Sequence, residues 1–194
     1  MTRIVDSAEV DPTAGIGEGS SIWHLVQIRE NARLGRNCTV GRGAYVGPAV
    51  EIGDNVKIQN YALVYEPARL GDGVFIGPAA VLTNDVYPRA VDPDGVLKDA
   101  SAWEASGVTI GDGAAIGARA VVRAGVTIGA WALIGAGAVV VRDVPAHALV
   151  LGNPGRQRGW VGRAGVQLNQ VDGGWQCPET GERYVETDDG LSLQ

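Results

Sequence analysis

The sequence predicts an all-β fold, a solenoid of short parallel strands, and three observations carry that expectation. Ile, Leu or Val occupies fourteen consecutive positions spaced six apart from Ile4 to Leu82, and six more from Ile110 to Val140. Four residues after each of these leads stands a small or β-branched residue, as in Ala8, Ser20, Val26, Cys38, Ala62, Val86, Ala114 and Val144. The 194 residues include 29 Gly but one Phe and one Met, which suits many tight turns around a narrow interior. A helix fails on the same pattern, because apolar steps of four and two do not follow a 3.6-residue period over such a length.

The first tract, Ile4 to Val86, reads as strands separated by Gly-Asp, Gly-Asn or Gly-Pro turns, with each lead stacked inward on its equivalents. Cys38 falls on an inward site and is read as a small core residue. The stretch from about residue 87 to 107 has no hexads and contains Pro88, Asp92, Pro93, Asp94 and Gly95. The second tract is out of phase by four, since 110 − 82 is 28 and not a multiple of six. This excursion is expected to be a loop thrown out of the solenoid, and a long loop inside a compact fold is more often functional than decorative. After Val144, "PAHALVLGNPGRQRGW" closes the repeat, with His147 expected in that closure. Residues 1–165 are read as one domain and 166–194 as a C-terminal tail. Cys177 lies in a Cys-Pro-x-x-Gly context like half of a metal knuckle, but with no partner cysteine and only two histidines no metal site is expected.

Composition narrows the function classes. A formal net charge of −6 argues against general nucleic-acid binding, and no apolar run approaches the ~20 residues of a membrane span. The N-terminus, "MTRIVDSAEVD", has no apolar core like that of a secretory signal, so a cytoplasmic protein is expected. Charge is uneven: residues 110–170 hold 6 basic and 2 acidic groups, a local excess suited to an anion.

The hexads resemble those of the hexapeptide-repeat acyltransferases. Along "IWH", "NVKIQN", "VYE", "TND", "YPRA", "GAGAVVVRDVP" and "LVLGNPGRQRGWVG" the chain is most similar to the nucleotide-sugar 3-amino N-acetyltransferases of that family. Pro67, Arg119 and Arg156 depart from the family's usual Gly, Asn and Lys. The resemblance implies a left-handed β-helix of triangular section with three hexads per coil. It also implies a homotrimer with acetyl-CoA bound between neighbouring prisms, and a loop folded over the acceptor.

With three hexads per coil, residues eighteen apart share an edge. Glu30, Pro48, Glu66 and Asn84 then form one column, and His24, Arg42, Asn60 and Pro78 another. Asn84, Glu66 and Asp85 are the expected catalytic group, orienting an amine for attack on the thioester. A sugar amine titrating near an α-amino group, about 7.7–8.0, needs no strong base. His24 is the alternative general base. Asn60, Tyr65, Tyr87 and Arg89 are expected to bind the acceptor. Asn153, Arg156, Arg158 and Trp160 are expected to bind CoA, Trp160 either stacking on adenine or covering the end of the core. The acceptor is read as a dTDP-3-amino-3,6-dideoxyhexose, since paired carboxylates would repel an acidic C6 group. A UDP-linked 3-amino uronic acid, or O-acetylation with His24 as base, are the other readings.

Overall fold

The computed structural model describes residues 1–99 and 102–194. Fourteen two-residue strands run from Arg3–Ile4 to Val81–Leu82, and six more from Thr109–Ile110 to Val139–Val140. In every one the second residue is a lead of the hexad pattern. They stack into three parallel sheets, the faces of a left-handed β-helical prism. Sheet A starts at Arg3–Ile4, sheet B at Glu9–Val10 and sheet C at Gly15–Ile16.

Strand pairs are eighteen residues apart, as in Leu63↔Val81 and Val64↔Leu82. Each coil's N–H groups reach the coil above, for example Glu9 to the Val26 carbonyl at 2.8 Å, so the backbone is satisfied without long strands. Ile22, Ile58, Ile76, Leu82, Ile116 and Ile134 are fully buried, with the small residues Ala62, Ala80, Ala114 and Ala138 filling between them. Burying each large aliphatic side chain is worth roughly 1.5–3 kcal/mol. At the N-terminal end Ile4 remains 47% exposed, because no coil lies beneath it.

Across the excursion the pairing is Arg69↔Thr109 and Val81↔Val121, forty residues apart instead of eighteen. The insertion is therefore 40 − 18, or 22, residues, and 22 exceeds three hexads by four, which accounts for the phase slip. Val86 departs from its sequence expectation. The inward site four after Leu82 is filled by Val108, which is buried and accepts the Arg69 N–H at 3.0 Å. Val86, half-buried, belongs to the loop. The loop itself carries a small hairpin, with Val91 bridged to Leu97 and the Lys98 N–H donating to the Ala90 carbonyl at 3.0 Å. The Asp92 carboxylate accepts the Asp94 and Val96 N–H groups at 3.0 and 2.9 Å and shapes its turn.

Beyond Ala148–Leu151, strand Arg156–Trp160 turns back antiparallel. The segment read as a tail is folded: Asn169–Val171, Gly174–Gln176, Arg183–Thr187 and Gly190–Leu193 form an antiparallel sheet. It has its own core of Leu168, Cys177, Tyr184 and Leu191. Trp160 packs against both this core and the prism's. His147, buried at the junction, holds the Val161 carbonyl through Nδ1 at 2.9 Å and meets the Tyr184 ring at 4.9 Å. The cap thus covers the last coil. Among the described residues no helix is long and apolar enough to cross a membrane.

Candidate active site

Glu66, Asn84 and Asp85 come together at the corner between sheets B and C. The register Val64↔Leu82 makes Glu66 and Asn84 equivalents in adjacent coils, about 4.8 Å apart along the axis. Glu66 turns back over the backbone of Gly47, where a Cβ would collide with its Oε2. That oxygen is buried and has no hydrogen-bond partner among the described residues, a costly state for a carboxylate unless a ligand supplies the donor. The Asn84 carbonyl accepts the Ser106 N–H at 2.8 Å, pinning the loop's return to its departure point. Its side-chain amide is half-buried and free of hydrogen bonds to described residues. Asp85 Oδ1 accepts the Tyr87 N–H at 2.8 Å, so one carboxylate oxygen shapes the loop's first turn.

Below them Tyr65 meets Tyr45 at 5.1 Å between ring centroids. Burial pushes the Tyr45 hydroxyl pKa up, and the charge of Glu66 adds to it. Arg29 is paired to Glu30 at 2.9 Å on the same corner. Above, the register continues through Leu82↔Val122 and Val122↔Val140, so Arg123 follows Thr83, and Ala124 and Arg142 follow Asn84. The corner therefore changes from acidic to cationic towards the C-terminal end. Arg142 and Arg156 line one groove of about 340 Å³ that also touches Val141, Pro145 and Gly155.

Of the remaining expected residues, Tyr87 and Arg89 lie exposed in the loop. His24 and Asn60 lie elsewhere, on the corner between sheets A and B. The Asn60 carboxamide oxygen is taken by the Arg42 N–H at 2.9 Å, a turn-stabilising bond. Asp54, Asp72 and Asp112 make the same bond to the coil below at the third corner. His24 is exposed, with Nδ1 held by the Ser7 hydroxyl at 2.8 Å. It stands three coils below Asn84, counting Val40, Ile58 and Ile76, or about 14 Å along the axis. Asn153, Arg156 and Arg158 are exposed at the C-terminal end. Trp160 covers the end of the core, one of the two roles open to it from sequence.

The sequence reading missed Lys98, Trp103 and Glu104, which join Asp85, Tyr87 and Ser106 around a loop cavity of about 520 Å³. No periodicity links them, and their common signal is membership of the excursion.

The sequence pattern of the bacterial transferase hexapeptide (six repeats) family matches residues 13–48, 49–84 and 107–142. Comparison with curated protein sequences gave no match. Among solved structures the chain is similar to a mutant perosamine N-acetyltransferase from Caulobacter crescentus in complex with CoA and GDP-perosamine, at 30% identity and a TM-score of 0.51. That alignment covers 81% of this chain and 56% of the other. It is also similar to the acetyltransferase domain of PglB from Neisseria gonorrhoeae FA1090 in complex with acetyl coenzyme A, at 27% identity and a TM-score of 0.50, covering 81% and 57%. LpxA from Acinetobacter baumannii, at 18% identity and a TM-score of 0.55 over 80% and 73%, shares the fold. The chain thus spans little more than half the length of these two acetyltransferase structures. With three matched blocks that together cover more than half of its residues, the chain belongs to the bacterial transferase hexapeptide family.

Proposed function

We propose that this protein is an acetyl-CoA-dependent N-acetyltransferase acting on the amino group of a nucleotide-linked amino sugar. The observation that carries the reading is the Glu66 carboxylate, whose buried Oε2 has no hydrogen-bond partner among the described residues, one coil below Asn84 at the loop's root. An acceptor ammonium satisfies that carboxylate. Once the amine is neutral, its lone pair attacks the thioester carbonyl, the C–N bond forms, the C–S bond breaks, and the proton released from nitrogen passes through solvent to the CoA thiolate. Asn84 orients the amine, and positioning of two bound reactants lowers the barrier by about 7–11 kcal/mol. Arg142 and Arg156, in no salt bridge among the described residues, supply cations for CoA phosphates above the reacting centre. The neighbours crystallised with CoA, acetyl-CoA and GDP-perosamine support this assignment of ligands.

The active unit in this reading is a homotrimer. From Tyr45 towards the C-terminal end the outward column of sheet B runs Tyr45, Leu63, Val81, Val121 and Val139, above Glu9 and Gln27, whereas sheet C presents Arg33, Glu51, Arg69, Thr109 and Thr127, and sheet A has Arg3, Ser21, Thr39 and Lys57 before Phe75, Ala115 and Leu133. Sheet B is the face to bury against a second copy, and the corners bordering it then line the interface. For the acceptor we favour a dTDP-3-amino-3,6-dideoxyhexose, because Glu66 and Asp85 leave a C6 methyl undisturbed and repel a C6 carboxylate. Steady-state turnover with dTDP-, UDP- and GDP-linked amino sugars, following free thiol, tests both levels. Preference for a 3-amino uronate overturns the sugar assignment, and no thiol release with any amino sugar overturns the reaction.

A further inference from the structure

The corner between sheets B and C closes differently above Asn84 than elsewhere. At ordinary corners the residue after the turn donates its N–H to the turn carbonyl of the coil below, as from Ala49 to Glu30 at 2.9 Å on this corner and from Tyr61 to Arg42 at 2.8 Å on the next. Above Asn84 that bond is relayed. The Gly125 N–H reaches the Ser106 carbonyl at 3.2 Å and the Ser106 N–H reaches the Asn84 carbonyl at 2.8 Å, so the returning loop is wedged between two coils.

Beside the wedge stands Ala124, only 3% exposed, whose N–H is costly to leave unpaired. Thr83 pairs it. The Thr83 Oγ1 accepts the Ala124 N–H at 2.9 Å and donates to the Val122 carbonyl at 3.2 Å, so one hydroxyl makes two bonds to the coil above. The register gives Arg29, Gly47, Tyr65, Arg123 and Val141 the same place in other coils of this corner, and none of them is Ser or Thr. Asn84 stands directly below Ala124. A carboxamide in such a column can take a backbone N–H from a neighbouring coil, as Asn60 takes that of Arg42, yet the Asn84 side chain makes no such bond with a described residue.

We propose that Thr83 is a positioning residue for acetyl transfer: by holding the Ala124 N–H, it keeps the Asn84 carboxamide disengaged from the backbone and available to the amine. The inference rests on the acetyltransferase reading above. It gives a task to the first residue of the "TND" block, whose hydroxyl acts through Asn84 and touches no substrate.

Thr83→Val removes the hydroxyl at nearly constant volume, and Thr83→Ser restores it. The test compares steady-state acetylation by wild type, both of these variants, Asn84→Ala and Thr83→Val/Asn84→Ala. Thr83→Val is expected to lower kcat about tenfold or more, as misplacing an orienting group does, with the KM for acetyl-CoA unchanged and Thr83→Ser near wild type. The double variant should be no slower than Asn84→Ala, since the two residues act as one unit. Unchanged kcat in Thr83→Val, or losses that multiply in the double variant, overturns the inference. So does a kcat loss matched by Ile58→Val, a core change with no link to Asn84, at the same fall in thermal midpoint. Amide exchange at Ala124 gives a readout apart from activity. Its N–H should stay protected in Thr83→Val, where Asn84 takes it over, and lose protection in the double variant. Protection lost already in Thr83→Val, or equal in all five forms, overturns the role of Thr83 while acetyl transfer stands. The expected exchange pattern with no amino sugar acetylated overturns the reaction and leaves the hold of Thr83 on Asn84 in place.

Discussion

Asn84 and His24 separate two mechanisms that the amino-acid sequence leaves open. Asn84 stands at the loop's root with an unengaged amide, whereas His24 is about 14 Å lower on another corner. In the proposed trimer, an axis parallel to the prism would preserve that height difference between copies and keep His24 away from an amine held at Asn84. Asn84→Ala is expected to lower kcat by about 10²-fold or more while leaving the KM for acetyl-CoA within a few-fold, the signature of an interaction made in the transition state. His24→Ala is expected to keep most of the wild-type rate. Complete loss in His24→Ala with both ligands still bound would instead make it the general base. The adjacency of Glu66 and Asn84 was legible as an eighteen-residue column. The vacant hydrogen bond at Glu66 was not, because it depends on Gly47 leaving room for the side chain to turn inward. Val86 and Val108 show the same limit, since either valine satisfies the hexad and only the backbone bond from Arg69 selects the second.

Strands of two residues are legible as long as neighbours repeat them, which is why every lead from Ile4 to Val140 was found. The cap was not, because its antiparallel strands alternate over three to five residues with no period to count. Its junction with the prism makes a pH prediction. Burial pushes the His147 pKa below its ordinary value, against a weaker opposing effect of the Val161 carbonyl, and nearby Arg163 lowers it further. The unfolded chain then binds a proton more readily than the folded one below about pH 6.5. Stability from this residue is full above that pH and is lost as pH falls towards the depressed folded value. The thermal midpoint of wild type should therefore decline more steeply from pH 6.5 to 5 than that of His147→Gln. Parallel declines would remove His147 as the cause.

For the whole molecule, the apolar outward residues of sheet B from Tyr45 to Val139 predict association through that face. Sedimentation should give a species near three times 20.1 kDa, and Leu63→Asp combined with Val121→Asp should dissociate it and abolish turnover. A wild-type monomer with full activity would refute the shared site. The 22-residue insertion carries a different implication. Because Leu82 pairs with Val122 as though nothing intervened, Asp85 joined directly to Val108 would read as one more ordinary hexad. The prism constrains where the loop begins and ends and places no demand on what lies between. The loop is in effect a cassette: its length and side chains can change without disturbing the coils below and above it, and under the proposed function acceptor preference should travel with the cassette when it is grafted.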